Sequence, residues 1–205
     1  MRRWLGVLLC VGAAGCDAAP SSEGAEVDFF VSSVGSGRGG DLGGLEGADA
    51  HCQSLADAAG LAPRTWRAFL SASDVDARDR IGDGPWRNAA GDVVAQSVEQ
   101  LLSDGIQSEL MLDELGEPAA RSAPPGREHD ILTGSDPQGQ WVENRSCADW
   151  TSNAPEDRVA VGHHDWSLLP DDEWVQHWAN VHGAPCDAEG MARQLGTART
   201  YCFGF

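Results

Sequence analysis

Apolar and β-branched residues first gather in Val27, Phe29, Phe30 and Val31, and the Gly-rich run 35–44 stops them, which predicts an opening strand. From Leu45 the period changes. Leu45, Ala48, Cys52, Leu55, Ala56 and Ala59 recur at helical spacing as far as Gly60, so an amphipathic helix with Cys52 on its buried face is expected. Residues 66–70 (Trp-Arg-Ala-Phe-Leu) predict a second strand, followed by a polar, Asp-rich loop through Gly84. Ser97-Val98-Glu99-Gln100 has the pattern of a capping box, Val98, Leu101 and Leu102 supply an apolar face, and Gly105 ends a short second helix. Residues 106–130 read as a surface excursion, and strand-like pieces follow at Ile131-Leu132-Thr133 and Gln140-Trp141-Val142. Between Cys147 and Gly196 no regular period emerges, and residues 199–203 close the chain as a terminal strand. The pattern predicts an α+β domain of two helices, short and mostly antiparallel strands and a long irregular loop region.

Composition narrows the partners. Eight Trp and 41% hydrophobic residues suit one packed domain in a chain of 205 residues. The formal charge of −18 repels phosphate and sulfate backbones, which argues against nucleic acid and anionic polysaccharide as ligands. Cations, neutral sugars and basic proteins remain compatible.

Arg2 and Arg3 precede an apolar stretch, 4–11, that runs into Gly12-Ala13-Ala14-Gly15 and Cys16, the layout of a signal peptide over residues 1–15. The stretch is shorter than the about 20 apolar residues that span a bilayer. Ala13-Ala14-Gly15-Cys16 resembles the bacterial lipobox, which implies lipidation of Cys16 as the first mature residue. Residues 16–26 then form a lipid-anchored tether and 27–205 the domain, exported to the cell envelope on its periplasmic or outward side. The membrane is met only through the anchor.

Cys52, Cys147, Cys186 and Cys202 should form two bridges in an exported chain, with three pairings open from spacing alone. Gly43-Gly44-Leu45-Glu46-Gly47-Ala48-Asp49-Ala50-His51-Cys52-Gln53, Ala59-Gly60-Leu61 and Trp66-Arg67-Ala68-Phe69-Leu70-Ser71 resemble the first helix and following strand of the endostatin domain of collagens. Gly134-Ser135-Asp136-Pro137-Gln138-Gly139, Cys147-Ala148-Asp149-Trp150 and Tyr201-Cys202-Phe203 continue the likeness over roughly residues 27–205, as in bacterial lipoproteins of unknown function that carry such a domain. The resemblance implies a C-type-lectin-like fold and the nested pairing Cys52–Cys202 and Cys147–Cys186. It does not carry over endostatin's N-terminal histidine cluster or its clustered arginines, because no His precedes His51 and the chain is acidic.

No Gly-x-Ser-x-Gly elbow, His-Glu-x-x-His, P-loop or dinucleotide fingerprint occurs, so no catalytic residues are assigned and the chain is read as a non-enzyme. The leading expectation is a binding module for a carbohydrate or protein ligand, with Trp166, Trp174 and Trp178 of the long loop region as contact residues. Two rival readings are a metal-dependent hydrolase built on His163, His164 and Asp165, and a purely structural envelope protein. That same trio, with His177 and His182 beyond it, offers ligands for zinc or another transition metal, while Asp74, Asp76, Asp79 and Asp83 offer hard oxygens for calcium.

Overall fold

The computed structural model describes residues 26–61, 63–119, 128–168 and 177–205. Cys16 and Trp174 lie outside them. The opening strand β1 is Phe29–Val31, the long helix α1 is Gly44–Ala58, and β2 is Trp66–Ala68. A two-stranded hairpin, β3 (Trp86–Arg87) and β4 (Val93–Ala95), follows the stretch read as loop. Helix α2, Val98–Asp104, is capped as its sequence predicts: Ser97 Oγ accepts from Gln100 N, and Gln100 Oε1 accepts from Gln96 N.

β5 (Asp130–Leu132), β6 (Arg158–His163), β7 (His182–Pro185) and β8 (Gly196–Gly204) complete the main sheet; the single-turn α3, Cys147–Trp150, precedes β6, and the short helix α4, Ala188–Arg193, precedes β8. The sheet order is β1-β8-β5-β6-β7, and β2 also pairs with β8. All pairings are antiparallel except β5 with β8. The residues at 140–142 form only an isolated bridge, Ser135 with Trp141, rather than a strand.

β8 organises the core because it alternates between two buried faces. Ala198 and Cys202 join Phe30, Trp66, Leu132, Val159, Val161 and the α1 residues Ala48, Cys52 and Ala56 on one side. Tyr201 and Phe203 join Phe29, Phe69, Trp86, Leu101 and Ile131 on the other. Burial on both faces is why the strands read as short continuous apolar runs. The edge of β2 is closed by α1: Asp49 accepts from Ala68 N and pairs through both oxygens with Arg80 at 2.8 Å.

The two disulfides are Cys52–Cys202 and Cys147–Cys186. The first ties α1 to β8. The second anchors α3, a left-handed turn in which four consecutive non-glycine residues have φ between 49° and 68°. Such a turn costs roughly 1–2 kcal/mol per residue. The bridge, Asp149 accepting from Ser73 N and Ser146 Oγ, and Trp150 Nε1 donating to Ser71 O hold it. No helix among the described residues is long and apolar enough to cross a membrane. The bridges suit an oxidising, exported environment.

Candidate metal centre

The strand register alone gathers the first two residues of the site. Asp130 opens β5 directly opposite His163, the last residue of β6, so their side chains share a face of the sheet. His182 opens β7 opposite Val161, two residues before His163, and therefore joins the same face diagonally. His129 precedes Asp130 and is fixed by its backbone N donating to Leu195 O at 3.0 Å. The β5–β8 register shifts at Asp130, whose partner is Gly196 while Ile131 already pairs with Arg199. That irregularity re-aims the Asp130 side chain, and a Cβ at Gly196 would stand 3.1 Å from Asp130 Cβ.

Three imidazoles converge on one carboxylate oxygen. Asp130 Oδ1 lies 3.1 Å from His163 Nε2, 3.4 Å from His182 Nε2 and 3.6 Å from His129 Nε2, and the His163 and His182 nitrogens are 3.2 Å apart. Ligand atoms of a tetrahedral zinc ion, at about 2.0–2.1 Å from the metal, stand about 3.3 Å from one another. The three separations among Asp130, His163 and His182 fall around that edge length, while His129, its ring stacked flat on His163, stands at their rim. Although the distances suit ion pairs, none of the three contacts to Asp130 is aligned as a hydrogen bond. Neither oxygen of this buried carboxylate therefore has a hydrogen-bond partner among the described residues. A buried carboxylate left uncompensated is costly, and either a proton on His182 or a cation among these donors meets its charge.

The electrostatics agree with a cation site. Burial works most strongly against the charge of Asp130, yet the neighbouring His163 and His182 imidazoles hold its carboxyl below the ordinary range. Asp130 in turn raises His182 above the usual imidazole value, with burial opposing. Asp165 lies behind the cluster, its Oδ1 at ion-pair distance from His129 Nδ1, 3.3 Å. His129 and His163 are stacked, with ring centroids 3.9 Å apart.

The expected trio is thus only partly assembled. His163 belongs to the site, and Asp165 stands behind His129 at its rim instead of among the ligands. His164 is not part of it, because the next residue of an extended strand points to the opposite face. Its Nε2 donates to Glu128 O at 2.8 Å in a buried setting. Burial, above all, lowers its imidazole to about 4. The unfolded chain binds a proton near pH 6.5 that the folded chain refuses, so stability is lost as the pH falls from about 6.5 to about 4, by up to about 3 kcal/mol. Urea unfolding of the metal-free protein at about pH 7 and about pH 4.5 should show that loss, and His164→Gln should flatten the slope.

Trp178 is a correction. Instead of offering a contact face it is buried against Phe69 and Tyr201, at ring separations of 4.8 and 5.3 Å, and its carbonyl accepts from Tyr201 Oη. Trp166 is half-buried and pinned by Nε1 donating to Ile106 O. Both rings pack over Gly105, where a Cβ would meet Trp178 at 2.8 Å and Trp166 at 3.0 Å.

The Asp-rich loop does not gather calcium ligands. Asp76 Oδ1 accepts from Trp141 N, while Asp74, Asp79 and Asp83 remain at the surface. The residues that sequence reading missed are His129 and Asp130, whereas His182 was among the imidazoles it grouped with His163. The adjacent His129-Asp130 pair just before an apolar triplet was the available signal.

No protein-family model matches the chain, and no curated protein matches it.

Proposed function

We propose that this chain is an exported domain of endostatin-like, C-type-lectin-like architecture, tethered to the envelope through Cys16, that binds a transition-metal ion through Asp130, His163 and His182, with His129 stacked beside them. One observation carries the reading: two imidazole nitrogens and one oxygen of a buried carboxylate stand 3.1–3.4 Å from one another, at tetrahedron-edge distances. Two imidazoles and one carboxylate, without thiolate, suit zinc and its neighbours better than calcium or magnesium. The nested bridges, and the pairing of first and last strands, support the architecture. The role stays that of a binding module, with a metal ion as ligand in place of a sugar or protein held on Trp178.

The test is calorimetric titration of EDTA-treated protein with zinc near neutral pH, together with melting curves. One ion per chain should bind and raise the melting temperature. Because His182 holds its proton more firmly than a free imidazole, the heat should depend on buffer ionisation as that proton is displaced. Absence of both heat and thermal shift at millimolar zinc would overturn the reading.

A further inference from the structure

A cavity of about 320 Å³ lies between α1 and β8, at the lower end of the about 300–1,000 Å³ of small-molecule sites, and no residue of the metal cluster lines it. Leu42, Ala48, Ala198 and Thr200 form its floor, none of them more than 4% exposed. Thr200 stands two residues before Cys202 on β8, so both side chains point to the face that meets α1. There Thr200 Oγ1 lies 3.8 Å from Cys52 Sγ and 3.7 Å from Cys202 Sγ. Sulfurs joined in a bridge carry no hydrogen and accept only weakly. The buried hydroxyl therefore has no nitrogen or oxygen partner among the described residues, and it borders the cavity. The rim supplies the charge. Arg38 is exposed there, and among the described residues its guanidinium meets no carboxylate; only its backbone N is engaged, donating to Ser36 Oγ. His51 forms a fixed wall, its Nε2 donating to Val34 O at 3.0 Å. No Asp or Glu lines this cavity, whereas each of the cavities around Ser73 and Trp141 contains aspartate.

We infer that this cavity binds a small aliphatic hydroxy acid, with its single carboxylate on the Arg38 guanidinium, its carbon body over Leu42, Ala48 and Ala198, and its hydroxyl on Thr200 Oγ1. Each part of the ligand answers one observation. A guanidinium without a partner is a carboxylate site, since its forked donors match the two oxygens. The buried apolar floor takes carbon, and an unpartnered hydroxyl beneath it favours a ligand that carries a polar group at its far end. One cation at the rim selects one acid group. The chain's charge of −18 does not forbid this: salt screens charges beyond about 8 Å, so the groups at the cavity itself decide for a small monoanion, whereas a polyanion would reach the acidic surface around it.

Amide NMR titrations of the full, EDTA-treated chain test this apart from the metal. The probes are 3-hydroxybutyrate, 4-hydroxybutyrate and 6-hydroxyhexanoate, with butyrate and hexanoate as acids lacking the hydroxyl and inorganic phosphate as a plain anion. One equivalent should bind saturably in the millimolar range, with shifts at Gly47, Ala48, Ala198 and Thr200. At least one hydroxy acid should bind severalfold more tightly than its parent acid, and Thr200→Val, which keeps the side chain's volume, should remove that preference. Arg38→Gln should weaken every acid about tenfold, while Arg158→Gln, at another exposed arginine, should change nothing. Ala50→Phe, on the exposed rim, should block binding without touching the core, and circular dichroism establishes that each variant is folded. No saturable shift with any acid, undiminished binding in Arg38→Gln or Ala50→Phe, or shifts confined to β5, β6 and β7 would overturn the inference. So would phosphate binding as tightly as the acids, or the absence of any hydroxyl preference in wild type.

Discussion

Replacing Cys52 and Cys202 together by serine is expected to lower the stability of the domain by about 5 kcal/mol. The bridge closes a loop across a sequence separation of 150, and in the chain-entropy argument the constraint on the unfolded state grows with the logarithm of that length. The other bridge, with a separation of 39, is worth about 4 kcal/mol on the same footing. Both sulfurs of the outer bridge lie in the core between α1 and β8, with Thr200 Oγ1 at 3.8 and 3.7 Å as a polar neighbour and otherwise apolar surroundings, so two buried serine hydroxyls gain little there. Changing both partners avoids leaving a free thiol. Chemical denaturation of the double variant against wild type measures the difference. A loss below about 1 kcal/mol would mean that the helix-to-strand contact survives in the unfolded chain or that the bridge is strained.

The second large effect concerns the metal. An ion present at about a thousand times its dissociation constant stabilises the folded chain by about 4 kcal/mol, provided it does not bind the unfolded one. His163→Ala should abolish that increment, because it removes the nitrogen closest to Asp130 and leaves the buried carboxylate with one less neighbour. His164→Gln should retain it, since that ring faces Glu128 and not the cluster. The contrast between neighbouring residues is the sharp part. Melting temperatures with and without zinc measure it, and equal zinc responses of the two variants would contradict the assignment.

How much of this was legible in the sequence depended on periodicity. α1 was plain because Ala48, Cys52 and Ala56 keep one helical face against the core, and α2 because Ser97 and Gln100 spell out its cap. β6 was not. Its core, Val159-Ala160-Val161-Gly162, is buried on both faces and carries no alternation, and it sits in a polar stretch that reads as loop. β7 and α4 are too short, at 4 and 6 residues, to impose a period. The nested bridges came from the family likeness and not from spacing, which left three pairings open.

The site follows the same division. His163 and Asp165 could be picked out as neighbours in sequence, but the metal cluster depends on register. Asp130 meets His163, and His182 meets Val161, only once β5, β6 and β7 are paired. Because β6 and β7 were illegible, so was the convergence of residues 129, 130, 163 and 182. Trp178 was misread for a related reason: charged and polar neighbours in sequence suggested exposure, whereas Phe69 and Tyr201, far away in the chain, enclose it.

X-ray absorption at the zinc edge of the stoichiometric zinc complex tests the central claim most directly. The expected spectrum has four nitrogen or oxygen neighbours at about 2.0–2.1 Å, with the outer-shell scattering of coordinated imidazoles and no sulfur. A sulfur shell near about 2.3 Å, an all-oxygen shell without imidazole scattering, or protein that retains no zinc after desalting would contradict it.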